Sequence, residues 1–255
     1  MRIARFSHQD AIKFGIVDDT DLVVLDGDPM FAGFETTGDR VPLGDVALLA
    51  PVIPRSKVVC IGRNYRDHAA ELGNEVPAAP MLFFKPNTAV VGPGDAVTLP
   101  SHSDFISFEG ELAAVIGRIA KNVKAENALD YVFGYTIGND LTARDWQRSD
   151  GQWARAKGFD SSCPLGPAIE TEFDIDGEAV ITTRLNGEVR QEGPISDMIF
   201  SLAEIIEFAS AAFTLLPGDV ILTGTPAGVG QIVAGDTVEV EITGLGMLRN
   251  TARAA

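Results

Sequence analysis

Short apolar runs broken by turn residues make up most of the chain, and one long stretch repeats clearly at helical spacing. Strands are predicted at 2–6, 12–17 and 22–25, separated by turn chemistry such as Asp18-Asp19-Thr20-Asp21. Further strands are expected at 57–61, 81–85, 132–139 and 219–223, and from residue 179 on around the hairpin signal Asn186-Gly187. Ser201-Leu-Ala-Glu204 has the form of a capping box. The apolar residues after it, Leu202, Ile205, Ile206, Ala209 and Phe213, form one stripe of a helix that packs on a sheet. A shorter helix is expected at 65–72, capped by Asn64 and stopped by Gly73. Pro51 and Pro54 bracket a boundary. The fold class is therefore α+β and mainly β, with a small β-rich N-terminal domain at 1–52 and a main domain at 53–255.

Within this pattern the run Phe108-Glu109-Gly110-Glu111-Leu112-Ala113-Ala114-Val115-Ile116 stands apart. In an extended chain Glu109 and Glu111 share a face with Ala113 and Val115, and the opposite face is also apolar, so the run reads as a strand buried on both sides. Two adjacent buried carboxylates repel each other and lose hydration, so protons or a cation must compensate them. All-oxygen ligands suit a hard divalent ion such as Mg²⁺, Mn²⁺ or Ca²⁺. A second Glu-x-Glu, Glu239 and Glu241, is an internal control. Its partners Val238, Val240 and Ile242 alternate strictly with polar residues, which predicts glutamates on the wet face of a half-buried strand.

A formal charge of −16 argues against nucleic acid and anionic membrane surfaces as partners. An anionic substrate would then need concentrated local positive charge. No apolar run approaches the roughly 20 residues of a membrane span, and the first residues lack the apolar core of a signal peptide, so the expected location is cytoplasmic. Cys60 and Cys163 lie in apolar surroundings without ligand-type spacing, and His8 has no metal-binding neighbour in sequence.

Other chemistry-bearing positions each admit two readings. His68 and Glu71 fall at i and i+3 of the short helix, either as a surface ion pair or as part of a lid whose tail is 74–80. Asp140 either caps a helix at 141–147 or shares its low-bulk face, with Gly138 and Thr136, with an ion. The loop Gly224-Thr-Pro-Ala-Gly-Val-Gly230 fits neither a Walker loop nor a dinucleotide fingerprint, yet it offers backbone N–H groups to a carboxylate.

Taken in order, Gly62-Arg-Asn-Tyr65 with His68 and Glu71, Phe83-Phe-Lys85-Pro86, Phe108-Glu-Gly-Glu-Leu112, Gly138-Asn-Asp140-Leu-Thr-Ala-Arg144-Asp145, Lys157-Gly-Phe159, Asn186-Gly-Glu and Leu222-Thr-Gly-Thr225-Pro-Ala-Gly-Val-Gly230 resemble the fumarylacetoacetate hydrolase family. The resemblance implies a twisted β-roll core, a homodimer or higher oligomer, and Mg²⁺ or Mn²⁺ held by Glu109, Glu111 and Asp140. It implies a small anionic 2-oxo acid as substrate. By the same resemblance His68 and Glu71 activate a water, Lys157 supplies positive charge beside the developing anion, and Lys85, Arg144, Gln147 and Thr225 bind substrate. Acylpyruvate-cleaving relatives tend to carry His just before the first glutamate, where this chain has Ile106-Ser107-Phe108. The expected reaction is hydrolysis of a C–C bond in a 2,4-dioxo acid of acylpyruvate or fumarylpyruvate type, releasing pyruvate. Oxaloacetate decarboxylation, isomerisation of 2-hydroxyhepta-2,4-diene-1,7-dioate in aromatic catabolism and binding without turnover are the alternatives.

Overall fold

A computed structural model describes residues 1–255. Its main sheet has twelve strands, ten of them on one path. In spatial order these are Thr36–Pro42, Asp21–Leu25, Ala11–Asp18, Arg2–His8, Cys163–Glu170, Val132–Asn139, Gly110–Ile116, Val220–Leu222, Val58–Gly62 and Met81–Lys85. The N-terminal strands form an antiparallel meander with a small core of their own around Phe6, Leu22 and Val24. They join the rest through backbone pairing of Arg2 with Glu170 and Ile3 with Ile169.

A five-stranded sheet, in the order Glu188–Pro194, Val180–Leu185, Thr237–Ile242, Gly246–Ala254 and Ala96–Leu99, lies against the main one. The strand Gly110–Ile116 is buried along its whole length because both of its faces are covered. Leu112, Ala114 and Ile116 join Ile181, Val240 and Ile242 of the second sheet and Ile205 and Ile206 of the helix Leu202–Ala212 in one core. Ala113 and Val115 point the other way, into a core with Cys60, Cys163 and Leu222. The sheets approach closely at Gly110, where a Cβ would lie 2.2 Å from Thr183 Oγ1, so the residue between the two glutamates has room for hydrogen only.

Several local expectations hold. Ser201 and Glu204 form both halves of the capping box, and Leu202, Ile205, Ile206 and Ala209 are buried. Val238, Val240 and Ile242 are buried while Glu239 and Glu241 face outward, in ion pairs with Arg249 (3.5 Å) and Arg184 (2.8 Å). No helix is long and apolar enough to cross a membrane.

Others are corrected. The run 108–116 is not one strand: Ile106–Phe108 belongs to a three-stranded sheet, and the chain passes through Glu109 into Gly110–Ile116 of the main sheet. The short helix is Arg66–Glu71, and Asn64 does not cap it. Buried at the strand end, the Asn64 amide instead donates to Phe200 O (3.0 Å) and Thr223 O (2.7 Å) and accepts from Phe200 N (2.8 Å). Asp140 caps no helix either, because the next helix starts only at Arg144.

Candidate active site and metal centre

A cavity of about 240 Å³ opens beside the C-terminal end of Val58–Gly62, and its wall includes Arg63, His68, Glu109, Glu111, Arg144, Gln147, Arg148, Trp153, Lys157 and Thr225. It lies below the usual range of drug-sized pockets, which begins at roughly 300 Å³, so it suits a small ligand. Antiparallel pairing of Gly110 with Asn139 and of Glu111 with Gly138 brings the end of one strand against the start of the other. The three carboxylates Glu109, Glu111 and Asp140 thereby offer oxygens that all lie within 4.8 Å of one another, and each residue is at most 3% exposed. Asp140 N donates to Glu109 O (2.8 Å) and Glu109 N donates to Asn139 Oδ1 (3.0 Å), so the break in strand structure at Glu109 leaves neither amide unpaired. Gly138 does not leave room for an ion, as its sequence face suggested. A Cβ there would sit 2.4 Å from Leu222 Cδ2, so this glycine serves packing.

Positive charge is shared unevenly among the carboxylates. Lys157 Nζ donates to Glu109 Oε2 and Asp140 Oδ2, both at 2.6 Å, and Arg144 Nη2 donates to Glu109 Oε1. Lys85 Nζ lies 2.8 Å from Asp140 Oδ1. Burial alone would raise the Glu109 carboxyl, but Arg144 and Lys157 hold it well below the usual range. Glu111 has less help, since Lys157 acts on it only from beyond ion-pair distance. It accepts from Gly224 N (2.7 Å) and enters no ion pair, so burial and then repulsion from Asp140 and Glu109 push its carboxyl well up. A buried carboxylate without a cation, in a set of hard oxygen donors, fits a divalent ion such as Mg²⁺ or Mn²⁺. Lys157 stays protonated, because Asp140 and Glu109 outweigh the effect of its burial.

His68 is 4% exposed, and burial lowers its pKa despite the nearby carboxylates, so the imidazole is neutral at pH 7. Its Nδ1 is 3.4 Å from Glu71 Oε2 and its Nε2 is 3.7 Å from Glu109 Oε1. Glu71 is held in turn by the backbone N–H of Gly228, at 3.1 and 3.2 Å from its two oxygens. The helix read from sequence as a lid is thus pinned at both ends, by Asn64 and by Glu71. Gly228 makes this possible with a φ of 102°, and a Cβ there would meet Arg190 O at 1.9 Å.

The residues expected to bind substrate divide into two groups. Arg144, Gln147 and Thr225 line the cavity. Lys85 does not: it is 1% exposed and its ammonium donates to the carbonyls of Leu141 (3.2 Å), Ser162 (2.8 Å) and Lys157. It sits behind Asp140, where it offsets that carboxylate from the protein side. Gln191 carried no sequence signal, being a polar residue between Arg190 and Glu192 on an edge strand. It is fully buried, accepts from Gly110 N (3.0 Å) and donates to Thr225 Oγ1 and Pro226 O (both 2.7 Å), tying the glutamate strand to the glycine loop. Ser107 was equally silent and accepts from Arg144 Nε at 2.7 Å. The buried thiols take no part, and burial pushes Cys163 up to about 12.

Residues 57–253 match the family described as fumarylacetoacetate (FAA) hydrolase, C-terminal. The chain belongs to the fumarylacetoacetate hydrolase family. Residues 1–51 match a second family, described as Rv2993c-like, N-terminal. The fumarylacetoacetate hydrolase fold extends over the whole chain: the crystal structure of 2-hydroxyhepta-2,4-diene-1,7-dioate isomerase from Mycobacterium marinum is 46% identical, with a TM-score of 0.92 and coverage of 100% of this chain and 98% of that one. Oxaloacetate tautomerase YisK of Bacillus subtilis is 45% identical over 82% of this chain and 73% of its own. Fumarylpyruvate hydrolase from Pseudomonas aeruginosa, solved in complex with Mn²⁺ and pyruvate, is 36% identical with a TM-score of 0.72, covering 80% of this chain and 91% of that one.

Proposed function

We propose that this protein is a divalent-metal-dependent enzyme that moves a proton at C3 of a small 2-oxo dicarboxylic acid, interconverting keto and enol forms. The observation that carries the proposal is His68: buried, neutral, in the cavity wall and backed by a carboxylate that is itself anchored. With Glu71 Oε2 3.4 Å from Nδ1, a proton carried on Nδ1 would leave the Nε2 lone pair as the base, and a neutral imidazole is the form that can take a proton. Glu109, Glu111 and Asp140 would hold the metal, which when bound supplies Lewis acidity to a chelating 2-oxo acid. His68 takes the C3 proton, the C–H electron pair becomes the C2=C3 double bond as the carbonyl π pair moves onto the C2 oxygen, and that oxygen is then protonated from the imidazolium or from water to give the enol, the reverse order giving the keto form. Lys157, a fixed positive charge, stabilises the negative charge that develops there. Arg144, Gln147 and Thr225 orient the acid from the cavity wall, and Glu71 acts through His68.

Hydrolysis of a C–C bond in a 2,4-dioxo acid is the second reading, supported by the likeness to a fumarylpyruvate hydrolase. The His68–Glu71 pair favours hydrolysis when read from sequence, but its geometry serves a C–H proton as well as a water proton. The relatives at 45 and 46% identity are named for a tautomerase and an isomerase, and that tips the order. Two assays with Mg²⁺ or Mn²⁺ separate the readings. Decay of the enol absorbance of oxaloacetate reports proton transfer, and lactate dehydrogenase-coupled pyruvate release from fumarylpyruvate reports cleavage. Enol decay accelerated by the enzyme, abolished by EDTA and lowered about 10²–10⁴-fold in His68→Ala, is expected. Cleavage without accelerated enol decay would reverse the order. Neither activity would leave a 2-oxo-acid-binding protein.

A further inference from the structure

Of the three clustered carboxylates, Glu109 is paired with Arg144 and Lys157 and Asp140 with Lys85 and Lys157, so these three cations are already engaged by the metal-site carboxylates. Two more guanidinium groups line the same cavity, Arg63 and Arg148, and neither has an ion-pair or hydrogen-bond partner for its side chain. In a chain of −16, two uncompensated cations lining one cavity mark a place for an anionic group. Their positions follow from the fold. Arg144 and Arg148 are i and i+4 on the helix Arg144–Ser149, hence on one face, and Arg148 stands about 6 Å farther along the axis. Arg144 is buried on Glu109 while Arg148 is exposed, so the face leads from the carboxylate centre to the mouth.

Arg63 approaches from the opposite element, at the turn between Val58–Gly62 and Arg66–Glu71. It adopts a φ of 58°, uncommon for a residue with a side chain. The three hydrogen bonds of the neighbouring Asn64 side chain hold that backbone in place. Backbone strain held by its surroundings beside a cavity is the pattern of a ligand-positioning residue. We infer that Arg63 and Arg148 bind a second carboxylate, so that the substrate is a dicarboxylic 2-oxo acid held at its keto-acid end by the buried centre and at its far end by these two arginines. The inference deepens the function proposed above and rests on it for the orientation of the substrate.

The test compares two ligands that differ only at the far end, 2-oxoglutarate and 2-oxopentanoate, by calorimetric titration into Mg²⁺-loaded protein. Neither has a 4-oxo group, so neither is cleaved as a 2,4-dioxo acid. The wild type is expected to prefer 2-oxoglutarate at least tenfold, as a charge-assisted hydrogen bond warrants. Arg63→Gln and Arg148→Gln should each remove most of that preference while changing 2-oxopentanoate affinity less than about twofold, which also shows that the variants fold. Arg63→Lys should keep part of it. Equal affinity of the wild type for both ligands, no measurable binding of 2-oxoglutarate, a preference that survives in the double variant, or a parallel loss for both ligands would each overturn the inference. A wild type that lacks this preference while it accelerates enol decay would sink this inference alone. Selectivity retained without either catalytic activity would sink the enzymatic reading alone.

Discussion

Lys157 joins two of the site's carboxylates, since one ammonium bridges Glu109 and Asp140 at 2.6 Å each and also lies 4.8 Å from the centre of the Phe83 ring. Removing its charge has two separable effects. Lys157→Met should lower kcat for whichever substrate is turned over, because stabilisation of the developing anion is lost, whereas a change confined to KM would make the residue a binding group only. The same variant removes one of the two cations on each of Glu109 and Asp140, leaving Arg144 and Lys85 as their remaining partners, so a loss near the lower end of roughly 3–5 kcal/mol is expected in urea unfolding of the metal-free protein. Lys85→Met should differ. Its ammonium contacts three carbonyls and Asp140 but not the cavity, so the stability loss should come without a change in the substrate preference between 2-oxoglutarate and 2-oxopentanoate.

At the scale of elements, what could be read from sequence is what local pattern controls. The capping box at Ser201, the helix behind it and the half-wet strand around Glu239 follow from residue type and spacing alone, and the structure places them as expected. Ser201→Ala should accordingly cost about 1 kcal/mol and lower Tm by about 2–4 °C while kinetic constants stay unchanged. A shift in kcat would mean that the helix is coupled to the site. The Glu109–Glu111 pair was visible because two carboxylates interrupt a run that is apolar on both faces. The break at Glu109 was not, because it depends on Asn139 and Asp140, at and just past the end of a distant strand, arriving to take over its backbone hydrogen bonds. Asn64, Ser107 and Gln191 were illegible for the same reason: each acts through partners distant in sequence, and nothing about an isolated Asn, Ser or Gln announces that. The place of Lys85 behind Asp140 was not legible, because a lysine next to a family motif looks the same whether it faces the cavity or the protein behind it.

For the whole molecule, the contrast between a net charge of −16 and a cavity rich in arginine has a kinetic consequence. At about 0.01 M salt the Debye length is roughly 30 Å and the surface acidic groups repel a dianion throughout its approach, whereas at about 0.15 M it is roughly 8 Å and only the cavity's own charges are felt. The association rate of a dicarboxylate, followed by stopped flow, should therefore rise over that salt range, and a steep fall would mean that the cavity field governs the approach instead. The central claim is that Glu109, Glu111 and Asp140 form the cation site on which the chemistry depends, with Glu111 the carboxylate that most needs the ion. Calorimetric titration with Mn²⁺ tests it most directly. One ion should bind per chain, Glu111→Gln should weaken binding at least tenfold, and Glu239→Gln should leave it unchanged; no binding by the wild type, or equal affinity in the wild type and Glu111→Gln, would contradict the account.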